Sequence, residues 1–384
     1  MFNPGSNPGR KRPQATLRAP DDRTPPTADT GSEGRHNKTG MRIGVLAPVT
    51  HPLPPPGYGP WERVAYDLAE GLVELGHDVT VFAPQGSRTS ARLWPTCPAP
   101  LEGSLQDPRL TEELHIGQAM QAGSDLDLEV IHSHLHVHAL PFAPLIPFPM
   151  VSTLHGAAWN QAHHPALRFY RQQSFVSISD AERRFLPELN YVATVYNGIA
   201  LEEFPLQSVK EPYLVFAGRL APEKAPDLAI AVARQAGLPL QLVGQLEEKH
   251  RDYYESEISP HLNGKIEHLG DVPRETLREV VGRARALLMP LRWDEPFGLV
   301  VVEAMALGTP VVAWRRGAMP ELINHGVDGF LVDSVEQAME AVARVGELDP
   351  VQVRHGSSRF SRQAMAGGYV RVYQEVLESR LSHI

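Results

Sequence analysis

Apolar positions along this chain fall into two alternating patterns. Short apolar runs at residues 42–47, 78–83, 129–134, 150–154, 174–178 and 192–196 read as strands, and segments of helical period, such as 61–75, lie between several of them. Beyond residue 208 the alternation resumes. Runs at 213–217, 240–243, 265–269, 285–289 and 311–313 predict strands, and 225–236, 297–307, 335–345 and 361–379 predict helices. Strands that alternate with helices imply parallel sheets covered on both faces, an α/β doubly wound arrangement. Ligands of such sheets sit beyond the carboxyl ends of the strands, so informative residues are expected just after each run.

One stretch, residues 293–313, WDEPFGLVVVEAMALGTPVVA, breaks the simple pattern. The predicted helix there is apolar on every side, through Val300, Val301, Val302, Ala304, Met305, Ala306 and Leu307, yet Glu303 sits in its middle. A carboxylate so placed needs donors. In one reading Glu303 pairs with an arginine from elsewhere and Glu295 is a solvated loop residue. In the other, Pro296 opens the helix and the free amides around Phe297, Gly298 and Leu299 hold phosphate or sugar oxygens, while the two carboxylates accept from hydroxyls.

Other strand ends add polar groups. Gly57 and Gly59 precede the first helix, but Pro60 has no N–H to offer an anion, so Gly59 or residues beyond it would serve. Thr153-Leu154-His155-Gly156 delivers His155 to the sheet edge, and Ser179 is positioned to cap a helix. Gly218-Arg219-Leu220-Ala221-Pro222-Glu223-Lys224 places a guanidinium fork and an ammonium between a strand and a helix, where phosphates bind. Two metal signals are set aside. Asp125 and Asp127 have D-x-D spacing but precede their strand, and of His132, His134, His136 and His138 the later pair is expected to scatter as the chain leaves its strand near His134.

Length and composition narrow the class. The 384 residues, 42% of them apolar, support two cores, and the formal charge of -9 argues against nucleic acid and against a strongly basic membrane patch. Cys97 is the single cysteine, so neither an intramolecular disulfide nor a thiolate metal cluster is available. No apolar run is long enough to span a membrane, which makes a cytoplasmic protein with at most peripheral membrane contact the expectation. Residues 1–40, rich in Pro, Gly, Thr, Asp and Arg, lack a core-forming pattern and are expected to be a disordered extension, with Met41 as the functional start.

Glu295 and Glu303, eight positions apart in E-P-F-G-L-V-V-V-E, resemble the E-x7-E motif of retaining GT-B glycosyltransferases of family four, and the nineteen residues from Glu295 to Ala313 all fit. G-R-L-A-P-E-K, T-L-H-G and Tyr196-Asn197-Gly198-Ile199 resemble further segments of that family, with Pro60, Ala200 and Ala225 as departures. The resemblance implies two Rossmann-like domains facing across a cleft. Residues 41–208 would form the acceptor-side domain, 209–360 the nucleotide-sugar domain, and 361–384 a helix crossing back. It further implies donor binding by Gly59, Asn197, Gly218, Arg219, Lys224, Glu295, Phe297, Gly298, Leu299 and Glu303, with His155, Arg219, Lys224 and Glu295 acting in catalysis. The implied reaction moves a hexose-type sugar, with retention and without metal or other cofactor, from a nucleoside-diphosphate sugar to a hydroxyl acceptor, soluble or lipid-linked. An epimerase, a hydrolase or a non-catalytic nucleotide-sugar binder is the alternative.

Overall fold

Short apolar runs, buried on both faces in the central strands and partly exposed in the edge strands, pair side by side into two all-parallel sheets. The computed structural model describes residues 40–382. The expectations for a disordered 1–40 segment and for Met41 as the start therefore fall almost wholly outside the described residues. The first sheet contains β1 (Arg42–Leu46), β2 (Asp78–Pro84), β3 (Arg92–Cys97), β4 (Val130–Ser133), β5 (Met150–Thr153), β6 (Ser174–Ser177) and β7 (Tyr191–Thr194), in the order β3-β2-β1-β4-β5-β6-β7. The second contains β8 (Leu214–Ala217), β9 (Leu240–Val243), β10 (Ile266–Gly270), β11 (Ala286–Met289), β12 (Val311–Trp314) and β13 (Gly329–Val332), in the order β10-β9-β8-β11-β12-β13. Strand order reverses between β1 and β4 and between β8 and β11. At such a switch point a crevice opens outside the carboxyl ends.

Helices α1 (Pro60–Glu74), α2 (Pro108–Asp125), α3 (His164–Phe169) and α4 (Asp180–Arg183) accompany the first sheet. The second carries α5 (Pro226–Ala236), α6 (Arg251–Tyr253), α7 (Arg274–Arg283), α8 (Leu299–Ala306), α9 (Met319–Leu322), α10 (Val335–Arg344) and α11 (Pro350–Gly356). Apolar patterning did not announce β3 or α2. Pro95 interrupts β3, which is tolerated because β3 is an edge strand. In α2 the buried face uses Thr111, His115 and Gly123 beside Ile116 and Met120, so no apolar stripe forms.

The last helix, α12 (Arg362–Leu381), returns to the first sheet and packs Tyr369, Val372, Tyr373 and Val376 into the core that holds Ile43, Val45 and Leu68. Its first residue is fastened by charge. Arg362 Nη2 lies 2.9 Å from Asp67 Oδ1 on α1, with both side chains buried, and Nη1 reaches Glu74 at 3.0 Å and Glu202 at 3.3 Å. Removing one partner of such a pair leaves a buried charge uncompensated. Arg362→Met is expected to lower the unfolding free energy by about 3–5 kcal/mol, read by denaturant titration, and Arg362→Met with Asp67→Leu is expected to recover part of the loss. An unchanged transition midpoint for the single variant would show that the crossover is held by the apolar stripe alone.

Candidate functional site

Arg219 and Lys224 leave β8 on a loop whose last residue, Ala225, is the N-cap of α5 and is held at φ +54. A left-handed residue at that point is where glycine is normally chosen, which accounts for the departure seen at Ala225. Arg219 donates through Nη1 to Glu247 Oε2 at 3.1 Å and through Nη2 to Glu223 Oε1 at 3.2 Å. Lys224 Nζ bonds the Glu295 carboxylate and stands 4.6 Å from the centre of the Trp293 ring. Trp293 Nε1 donates to the same Glu295 oxygen at 3.2 Å. Glu295 is thereby fixed by an ammonium and an indole, although it is 9% exposed.

The loop carrying Glu295 is braced from behind. Ala318 N donates to the Glu295 carbonyl at 2.8 Å and Gly317 N to Asp294 Oδ1 at 3.1 Å. Gly317 has φ +53, and a Cβ there would lie 2.3 Å from the Glu295 carbonyl oxygen, so only glycine permits this approach. On α8 Glu303 is also 9% exposed and accepts from Arg274 Nη2 at 3.1 Å. Arg274 in turn lies over the Phe204 ring. The donor that a buried Glu303 requires is therefore an arginine from α7, as the plainer reading of the helix anticipated.

From the first sheet, β5 delivers His155 to the opposite wall with φ +48, followed by Gly156 at φ +91. Glu182 holds that turn, accepting from Gly156 N and, at 3.0 Å, from Ile178 N. Burial pushes the Glu182 carboxyl up to about 7 and holds the His155 imidazole well below the ordinary histidine range, so His155 is neutral. Asn197 is buried, and its Oδ1 has no partner among the described residues. One cleft is lined by Gly59, His155 and Asn197 on one side and by Gly218, Arg219, Lys224, Glu295, Gly298, Leu299 and Glu303 on the other.

Residues 200–356 match the family of glycosyl transferases group 1, and residues 61–203 match glycosyltransferase family 4. The chain belongs to these glycosyltransferases. A phosphatidyl-myo-inositol mannosyltransferase of Mycolicibacterium smegmatis is 26% identical to it over 88% of this chain and 94% of that protein. A glycogen synthase of Mycobacterium tuberculosis is 26% identical over 84% and 90% of the two chains. In fold, the Anabaena HepE protein solved in complex with UDP-glucose matches with a TM-score of 0.60 at 20% identity, covering 90% of this chain and all of that one. The architecture is GT-B, with two Rossmann-like halves.

In this glycosyltransferase the cleft gathers every residue to which the resemblance gave a donor-binding or catalytic role, with corrections at α8 and at the histidines. The helix begins at Leu299, two residues later than expected, because Gly298 at φ +98 breaks the run that Pro296 was expected to open. Phe297 therefore contributes no helix amide. Its ring is buried against Tyr196 and Phe360. The amides of Leu299 and Val300 have no backbone acceptor among the described residues and form the positive end of α8. The histidines scatter less than expected. His138 turns out toward Glu112 as expected, but the His136 ring remains 6.2 Å from His155; the rings of His132 and His134 lie 4.3 Å apart, tilted to each other, and His134 bonds His155. Asp127 lies at the amino end of β4, away from the cleft, and is tied to Arg42.

Several residues of the cleft went unnoticed in the sequence. Tyr58, Arg63, Arg274 and Trp293 all line it. Of these only Arg274 had a signal, the unmet need of Glu303 for a cation. Among the described residues no helix is long and apolar enough to cross a membrane.

Proposed function

We propose that the protein transfers a hexose-type sugar from a nucleoside-diphosphate sugar to a hydroxyl acceptor, with retention of anomeric configuration and without a metal. The observation that carries this reading is the meeting, in one cleft, of two cations from the β8 loop, the amino end of α8, and the carboxylates Glu295 and Glu303. Breaking the bond between an anomeric carbon and a diphosphate builds positive charge on the sugar ring and negative charge on the departing phosphate. Arg219, Lys224 and the Leu299 and Val300 amides meet that negative charge. Glu303 accepts from ribose hydroxyls, and Glu295 from the sugar. His155, with Asn197 and Gly59, closes the pocket from the acceptor side. Closure over the donor excludes water from the reactive sugar.

The HepE complex with UDP-glucose supports the class of donor. The mannosyltransferase and the glycogen synthase support transfer onto carbohydrate or lipid-linked hydroxyls, while their difference leaves the acceptor open. A single buried cysteine fits a cytoplasmic enzyme. Incubation with a panel of nucleotide sugars, with and without candidate hydroxyl acceptors, tests the reading. A glycosylated product of unchanged anomeric configuration is expected. Epimerised donor formed without any acceptor would overturn it.

Metal independence has its own check. Arg219 and Lys224 neutralise the diphosphate in this reading, so transfer is expected to persist in excess chelator, slowed only modestly. Loss of activity on chelation, restored by one divalent ion, would return Asp125, Asp127 and the histidines to consideration.

A further inference from the structure

His134 stands outside the roles assigned so far. It is fully buried on the segment after β4, does not line the cleft, and places its Nδ1 2.8 Å from Nε2 of His155. Its own Nε2 is buried without a partner among the described residues. The neighbouring His132 cannot supply one, because Tyr373 Oη occupies its Nδ1 and Thr153 Oγ1 its Nε2, each at 2.7 Å. Burial keeps His134 and His155 well below the ordinary histidine pKa, so both rings are neutral and share a single hydrogen-bond proton.

That proton has two possible homes. If His155 donated from Nε2, its Nδ1 would be bare and His134 would carry its own proton on Nε2, an N–H buried with nothing to accept it. If His134 donates from Nδ1, what is left buried is a bare lone pair on its Nε2, and His155 must then carry its proton on Nδ1. An orphaned buried N–H is the costlier defect, and an under-used acceptor the milder one. His155 lines the cleft with Nε2 turned back onto His134, so Nδ1 is the nitrogen left for a ligand.

We propose that His134 is a positioning residue that locks His155 as its Nδ1–H tautomer, so that His155 offers the cleft a neutral N–H donor for a substrate oxygen and cannot serve there as a base. The turn is fixed at the same time by Glu182, which holds the Gly156 amide, so ring and backbone are set independently. The nature of the oxygen, a sugar hydroxyl or a phosphate, rests on the proposed transfer reaction. The tautomer does not.

Histidine-selective isotope labelling of the whole chain, with long-range proton–nitrogen correlation, reads the tautomer directly. The His155 signals are identified by their loss in His155→Gln. An Nδ1–H pattern is expected, and an Nε2–H pattern overturns the proposal whether or not the chain transfers sugar. Kinetics give the second arm. His134→Gln keeps a side-chain N–H toward His155 and is expected to retain turnover close to that of the unaltered enzyme. His134→Leu removes that N–H, and turnover is expected to fall roughly ten- to a hundredfold with nucleoside-diphosphate affinity unchanged. Equal turnover in the two variants, at either level, overturns the proposal. Should the Leu variant fail to fold, the spectrum of the unaltered protein still decides. Absence of transfer by the unaltered protein would count against the reaction, not against the tautomer.

Discussion

Lys224→Met is expected to lower turnover by about 10²- to 10³-fold, the usual loss when one preorganised donor to a developing negative charge is removed. The geometry behind this is specific. The ammonium is held between the Glu295 carboxylate and the Trp293 face, beside the fork of Arg219 on the same loop. An incoming diphosphate therefore meets a cation already placed, with little reorganisation to pay at the moment of bond breaking. A purely structural pairing of Lys224 with Glu295 makes a different forecast, because neutralising both partners together would then restore function. The variant carrying Lys224→Met and Glu295→Gln separates the two. Turnover is expected to stay as low as in the worse single variant or lower, and recovery toward the unaltered enzyme would show that the pair only neutralises itself.

Glu303→Gln is expected to weaken nucleoside-diphosphate binding by about ten- to a hundredfold, since a charge-assisted hydrogen bond is worth roughly 1.5–3 kcal/mol. Glutamine keeps the volume of Glu303 and can still accept one bond, so α8 is expected to stay folded. The Arg274 contact sharpens the test, because the same substitution deprives a guanidinium of its partner. Arg274→Gln is the control. If Glu303 serves only that ion pair, both variants melt lower by similar amounts and bind the nucleotide unchanged. If Glu303 holds ribose, its variant loses affinity whatever happens to the melting temperature. Glu295→Gln is expected to behave differently again, losing turnover while binding free nucleoside diphosphate almost normally, because it acts on the sugar as charge develops.

The sheets were legible because parallel strands buried on both faces read as plain apolar runs, and the strand ends were legible because glycines and charged residues follow those runs at once. Residues such as Arg219, Lys224 and His155 are consequently visible within a few positions of a strand. Their partners are not. Arg274 meets Glu303 across 29 positions and His134 meets His155 across 21, and no local pattern encodes such meetings. The start of α8 was misread for a local reason. Proline favours the first turn of a helix, but Gly298 two residues after Pro296 adopts a left-handed conformation and postpones the helix to Leu299. Strand β3 and helix α2 escaped because one carries a proline at a sheet edge and the other buries threonine, histidine and glycine where aliphatic residues are usual.

A crystal structure of the protein with a nucleoside diphosphate bound tests the central claim most directly. The account predicts diphosphate oxygens within hydrogen-bond reach of Arg219, Lys224 and the Leu299 and Val300 amides, with the ribose hydroxyls on Glu303 and no metal ion bridging the phosphates to the protein. A nucleotide seated away from this cleft, or a diphosphate held through a divalent ion on Asp125, Asp127 or the histidines, would contradict it.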